Sequence, residues 1–318
     1  MMDRREFLGL GLAATPVLLG ARPAASAREP LALVTADTES HVAVVSLARR
    51  RIVQRFATVE DPRSIQSGRH GRVIVTHARA GAISLLDGRP LRVRRVLRGF
   101  GAPRYTAFAP GGRIAYVSDG GNGELAVVDV VAGRVVRRVS VGDGARHLSL
   151  DPAGHTLWVA LGSSAGAIAI VDVREPRHPR LTGHVTPPFL AHDVGHSPSG
   201  EHVWVTAGRE QRIAVLAANG SRHFRELGAD AAPQHVTFGP GAAYVASGDS
   251  GIVRVHALRD GRVVRRTRVP IGSYNIQRTG HHVVTPSLST GGLTVLNARG
   301  IAIEHTRVAA AAHDACIV

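Results

Sequence analysis

Residues 115–161 read AYVSDGGNGELAVVDVVAGRVVRRVSVGDGARHLSLDPAGHTLWVAL. Apolar runs AYVS, ELAVVDV and RVVRRVSV are separated by the turn formers DGGNG and VAG, and a fourth run, ARHLSL, follows GDG. Short runs rich in valine and bounded by Gly, Asn and Asp are strands joined by tight turns. The stretch closes on LWVAL, a copy of its own beginning placed 42 residues later. Self-similarity at a fixed period takes precedence over any local motif, because it says that the fold is assembled from equal units.

Working outward, the same pattern occurs seven times: ALVTA at 32, VIVTH at 73, AYVSD at 115, LWVAL at 157, VWVTA at 203, AYVAS at 243 and HVVTP at 282. The spacings are 41, 42, 42, 46, 40 and 39 residues. Each copy is followed by a turn and an alternating apolar strand, such as ELAVVDV, AIAIVDV or RIAVL. Several add a glycine turn and a further strand, as in GRVVRRVSV and GRVVRRTRV. Four short strands per unit of about 40 residues is the signature of a propeller blade. The expected fold is all-β, a seven-bladed β-propeller over residues 28–318.

The 115–161 stretch resembles the YVTN family of β-propeller repeats nearly throughout, and the resemblance extends over almost all of 28–318. It implies the propeller fold. It implies little about activity, because that family spans lactonase-like enzymes, redox-associated proteins and binding modules. One unit departs from the pattern: the 46-residue spacing points to an insertion around EPRHPRLTGHVTPPF, which carries His178 and His184.

A strand precedes each repeat: PRSI at 62, PRYT at 103, ARHL at 145, AHDV at 191, PQHV at 233 and SYNI at 273. The first repeat has none before it. AHDA at 312 is the seventh example, so the C-terminal strand is expected to pair innermost in the N-terminal blade and close the ring through a backbone ladder.

Composition agrees with this fold. The 318 residues are 44% hydrophobic and 20% charged, enough for a sizeable core, and 36 Gly and 17 Pro make the chain turn-rich. Residues 1–27 pair Arg4 and Arg5 with Phe7, Leu8, an apolar run broken by Pro16, and small residues ending at Ala27. This resembles a twin-arginine export signal, a route known for carrying folded proteins, some with cofactors inserted. It predicts an extracytoplasmic protein, periplasmic, envelope-bound or secreted, with no stable membrane anchor after cleavage. The lone Cys316 cannot form an intrachain disulfide and is expected to be buried.

In YVTN-like propellers the start of the innermost strand faces the mouth of the central channel. The resemblance therefore implies a ring drawn from Arg63, Ser64, Arg104, Tyr105, Arg146, His147, His192, Asp193, Gln234, His235, Tyr274, Asn275, His313 and Asp314. Imidazoles and carboxylates held on separate rigid strands suit a divalent transition metal such as zinc, copper or iron. The metal candidates are His147, His192, Asp193, His235, His313 and Asp314. The ligand-binding candidates are Arg63, Arg104, Tyr105, Arg146, Gln234, Tyr274 and Asn275, of which the three arginines on consecutive blades could fork a carboxylate or phosphate. Neighbours along a strand point opposite ways, so only one of each adjacent pair is expected to reach the axis.

Other features read as structure. GHSPSG at 195 aligns with the hairpin LDPAG at 150 and lacks one glycine of a nucleophile elbow, which argues against Ser197 as a nucleophile. GLGL at 9 lies in the export segment. Trp158, Trp204, Tyr116 and Tyr244 recur at one strand position and are expected to pack between blades. The formal charge is +15, and all 39 basic residues are arginines. Many recur in RRRIVQR, RVRRVLR, RVVRR and RVVRRTR, where charge protects the outer strand of each blade from edge-to-edge pairing. Export and the lack of clustered aromatics disfavour nucleic acid as a partner. Three readings remain: an exported, non-catalytic scaffold that binds a small molecule or envelope protein across the channel face; a metal-dependent, lactonase-like hydrolase at the channel mouth; and a redox-accessory role.

Overall fold

A computed structural model describes residues 29–88, 90–220 and 224–318. The export segment expected over residues 1–27 lies outside the described residues. Each apolar run forms a strand, and the strands group into seven four-stranded antiparallel sheets. Blade 1 contains Leu31–Ala36, and blade 7 contains His282–Pro286. The fold is the seven-bladed β-propeller that the repeat predicts.

Ala312–Ile317 is the innermost strand of blade 1, with Ala32 opposite Ile317, Leu33 opposite Cys316 and Val34 opposite Ala315. Two further backbone hydrogen bonds join Leu31 and Val318, at 2.9 and 3.1 Å. The ring is thus closed by the C-terminal strand, and Cys316 is buried.

Alternation along the strands explains how the blades stack. In blade 1, Leu33, Val42 and Val44 face blade 2 and pack on Ile65, Val73 and Val75, while Ala32, Val34 and Ala43 face blade 7 and pack on Val284, Leu293 and Val295. Both faces of a blade are covered, so the middle strands are apolar on both sides. Trp158 and Trp204 are buried between blades, edge-on to His196 at 5.9 Å and to Phe238 at 6.0 Å. The outer strand is covered on its inner edge alone. In Arg51–Ala57 exposed and half-buried residues alternate, with Arg51 and Arg55 in solvent.

The innermost strands of blades 1 to 5 share an irregularity that shapes the channel mouth. In blade 4, Ala145 lies opposite Leu161 and Leu148 opposite Val159, so three steps on one strand match two on the other. The same bulge occurs at Ala191 to Val194, Pro103 to Thr106, Pro62 to Ser64 and Ala312 to Ala315. A bulge leaves one N–H without a ladder partner and re-aims the side chains beside it. The threonine or serine of the VT/VS repeat takes up that N–H. Thr35 accepts from Asp314 N at 3.0 Å, Thr76 from Ser64 N at 3.2 Å, Ser118 from Tyr105 N at 3.1 Å and Thr206 from Asp193 N at 3.0 Å. Each hydroxyl then donates to a carbonyl of the next blade: Arg63, Arg104, Arg146 and Gln234 respectively. One side chain satisfies the bulge and ties two blades together.

Deleting residues 312–318 removes this strand, its ladder and the burial of Cys316 and Ile317. Each buried apolar side chain contributes about 1.5–3 kcal/mol, and each hydrogen bond about 1 kcal/mol. Their sum rivals the net stability of a whole domain. The truncated chain is expected to lose its cooperative thermal transition by circular dichroism, whereas Thr76→Val is expected to keep it and melt several degrees lower. An unchanged melting curve on truncation would contradict the closure.

Candidate metal centre

Bulges in blades 4 and 5, beside a regular innermost strand in blade 6, let residues from both positions of the adjacent pairs converge. His147 and His235 come from the second position of their pairs, and His192 from the first. Their ligating nitrogens all lie within 4.8 Å of one another. The rings stack closely, with centroids 4.5 Å apart for His147 and His192, 4.7 Å for His147 and His235, and 5.6 Å for His192 and His235.

Two of the three rings are oriented by oxygen acceptors. His235 Nδ1 donates to Asp193 Oδ2 at 3.2 Å. His192 Nδ1 donates to the Ser163 carbonyl at 3.0 Å. Each bond fixes the tautomer that leaves Nε2 with a lone pair, as is usual for metal-ligating histidines. His235 Nε2 accepts from the Tyr105 hydroxyl at 3.3 Å, and the Tyr105 ring covers His147 at 4.3 Å. His147 is 1% exposed, and neither of its ring nitrogens has a hydrogen-bond partner.

Burial holds the His147 imidazole well below its ordinary pKa, helped by His192, His235 and Arg146. Burial, with His235 and Arg146 adding repulsion, pushes His192 down to about 4. Both are therefore neutral at neutral pH, which is the form that binds a metal. Three imidazoles on three rigid blades could hold a zinc-like or copper-like ion and leave a coordination position open.

The other candidates do different work. Asp193 accepts N–H groups from Val194 and Val236 besides its bond to His235. Asp314 is buried and accepts from Ile65 N at 3.0 Å and Ala315 N at 2.8 Å, which ties the closing strand to blade 2. His313 pairs with Asp37 at 3.2 Å, away from the three-histidine cluster. Asn275 donates to the His313 carbonyl at 2.8 Å and joins blade 7 to blade 1. Gln234 Oε1 accepts from Gly248 N at 3.1 Å. The Tyr274 ring lies on Gly248, where a Cβ would stand 2.2 Å from the ring, and its hydroxyl donates to Asp249 at 2.8 Å. Arg63 has Asp37 at 3.8 Å, and the Nε of Arg146 is buried without a partner.

Sequence reasoning did not single out Ser163. Ser163 belongs to the loop between Thr156–Leu161 and Ile168–Asp172, which Ala165 clamps to Ala191 of blade 5 by hydrogen bonds of 2.7 and 2.9 Å. This loop takes part of the extra length of the 46-residue unit, and the remainder lies in the Pro-rich stretch. His178 sits in the turn before Arg180–Val185, and His184 on that outer strand bonds the Val141 carbonyl. The only sign of the loop's role was the spacing itself.

No protein-family model matches the chain, and no curated protein matches it in sequence. Solved structures do. A functionally unknown protein from Desulfotomaculum acetoxidans has a TM-score of 0.76 at 13% identity, covering 90% of this chain and 98% of that one. A candidate 6-phosphogluconolactonase from Bacteroides fragilis also has 0.76 at 13%, covering 93% and 100%. Apo AztD from Citrobacter koseri has 0.69 at 12%, covering 91% and 98%. At such identities the likeness establishes the propeller fold alone.

The buried histidines make the metal-free protein acid-sensitive. His77, His192 and His196 each have pKa values pushed down by burial to about 4, and His147 is also lowered. Between pH 6.5 and 4 the unfolded chain binds protons at these sites that the folded chain does not, so stability falls as pH drops through that window. Burial lowers His256 as well, and Asp314, whose pKa burial raises, acts in the opposite direction as one group against five histidines. The melting temperature of metal-free protein is expected to decline steadily from pH 7 to 4.5; a flat profile would contradict neutral burial of these rings.

Proposed function

We propose that this chain is an exported, YVTN-type propeller that binds one divalent transition-metal ion through His147, His192 and His235 at its channel mouth. The observation that carries the reading is His147, whose ring is buried with both nitrogens unpartnered between two histidines already oriented by acceptors. An unpaired buried polar group costs about 1–3 kcal/mol, and an ion in the cluster would recover that cost. Imidazole ligands suit zinc, copper or nickel rather than calcium or magnesium. A bound ion would supply an electrophilic position open to water, a small anionic molecule or a side chain of an envelope protein.

Binding, rather than hydrolysis, is the favoured use. The channel-facing carboxylates Asp193 and Asp314 each hold two backbone N–H groups, so neither is free to act as a general base. Lactone hydrolysis remains the second reading, supported by the three-nitrogen ligand set, which leaves room for an activated water.

Zinc titrated calorimetrically into EDTA-dialysed protein is expected to bind at one ion per chain. His147→Ala is expected to abolish that binding, and Asp193→Asn to weaken it about 10- to 100-fold by freeing the His235 ring. Absence of stoichiometric binding, or binding indifferent to His147→Ala, would reject the centre. Hydrolysis of an aromatic lactone by zinc-loaded protein, lost in the same variant, would instead favour the second reading.

A further inference from the structure

Arg63, Arg104 and Arg146 occupy the same register position on three consecutive blades. Their carbonyls are all engaged by the hydroxyls of Thr35, Thr76 and Ser118. Their guanidiniums are poorly matched. Arg63 has Asp37 at 3.8 Å, and that carboxylate is already bonded to His313. Arg104 has no hydrogen bond or ion pair among the described residues, and Arg146 Nε is buried without a partner. Arg138 is paired with Asp119 and Glu124, and Arg254 with Asp230, whereas Arg225 and Arg278 on other blades also keep a buried Nε without a partner.

Arg63 and Arg104 line a cleft of about 450 Å³ between blades 2 and 3. Its one acid, Asp61, is committed to Arg79 through the side chain at 3.4 Å and the backbone N–H at 2.8 Å. Burial and repulsion from Arg146 and Arg63 hold Arg104 below its ordinary pKa. Arg146 holds the same position on the next blade, adjacent to His147 on the strand Ala145–Leu150, so the arginine row leads from the cleft toward the histidine cluster. Like charges kept together with few counter-ions destabilise a fold, and such an arrangement persists where function requires it.

We propose that Arg63, Arg104 and Arg146 form a binding site for a small organic dicarboxylate. Arg63 and Arg104 fork one carboxylate in the cleft, and Arg146 directs the other toward the histidine cluster. The inference rests on the metal reading only for what the second carboxylate meets, the open coordination position.

The test is calorimetric titration of succinate into metal-free protein at low salt. One-site binding is expected, at least tenfold tighter than for acetate and at least tenfold weaker in Arg104→Met and in Arg146→Met. Arg104→Lys, which keeps the charge but loses the fork, should fall between wild type and Arg104→Met. Arg104→Met keeps the packing stem and removes repulsion, so ligand-free Arg104→Met is expected to melt above wild type; a lower melting temperature would mean that the guanidinium serves the fold. Succinate binding that is absent, unchanged in the methionine variants, weaker than that of inorganic phosphate, or no tighter than that of acetate would overturn the proposal. This titration reads the arginines without metal, and the zinc titration reads the histidines without dicarboxylate, so the two proposals fail separately.

Discussion

The channel mouth depends on a displaced N–H group. Where an innermost strand carries one residue too many, an amide leaves the ladder in a buried place, and a buried unpaired amide is not tolerated. The hydroxyl at the repeated VT or VS position accepts from it and donates to the neighbouring blade. A valine in its place would leave the amide and the next carbonyl unmatched. The repeat therefore needs a small hydroxyl there for a reason that links local backbone to ring assembly.

That bridge is missing from two of the three blades that carry the histidine cluster. Blade 4 has Ala160 at the hydroxyl position and blade 6 has Ala246, so their contacts with the next blade use other groups. Blade 4 reaches blade 5 through the 162–167 loop, whose Ser163 carbonyl orients His192. Blade 5 reaches blade 6 through Thr206 and also through Asp193, whose carboxylate bonds Val236 N and His235 together. The sevenfold regularity lapses along one arc of the ring, and the innermost strands of that arc carry His147, His192 and His235. The three imidazoles cluster where the repeat departs from itself, and local rules are commonly relaxed at functional sites.

The fold was legible because period, turn residues and strand alternation all agree, and because a missing first strand at Leu31 matched a surplus one at Ala312. The residue pairs at the channel mouth were legible as positions and not as directions. Strict alternation predicts one inward side chain per pair, but a bulge changes that count, and bulges depend on the partner strand's register, which no single segment contains. The diversion of Tyr274 depends on Gly248 leaving space for its ring, and the fate of His313 on Asp37, 276 residues away. Such pairings are products of ring closure. The Ser163 carbonyl is backbone and leaves no mark in residue type.

Arginines serve two ends in this chain. Those on outer strands stand in solvent or meet acids such as Asp87 and Glu124, where each charge costs little. Those at the mouth are half-buried and short of acids, beside the imidazoles of His147 and His192 that burial keeps neutral. A divalent cation entering that cluster adds positive charge next to Arg146, an interaction that partial burial strengthens. An anion over the arginines offsets it, and by linkage whatever the anion contributes to cation affinity the cation returns to anion affinity. The electrostatics of the mouth thus favour joint occupancy, with each ligand stabilising the charge that the other leaves exposed.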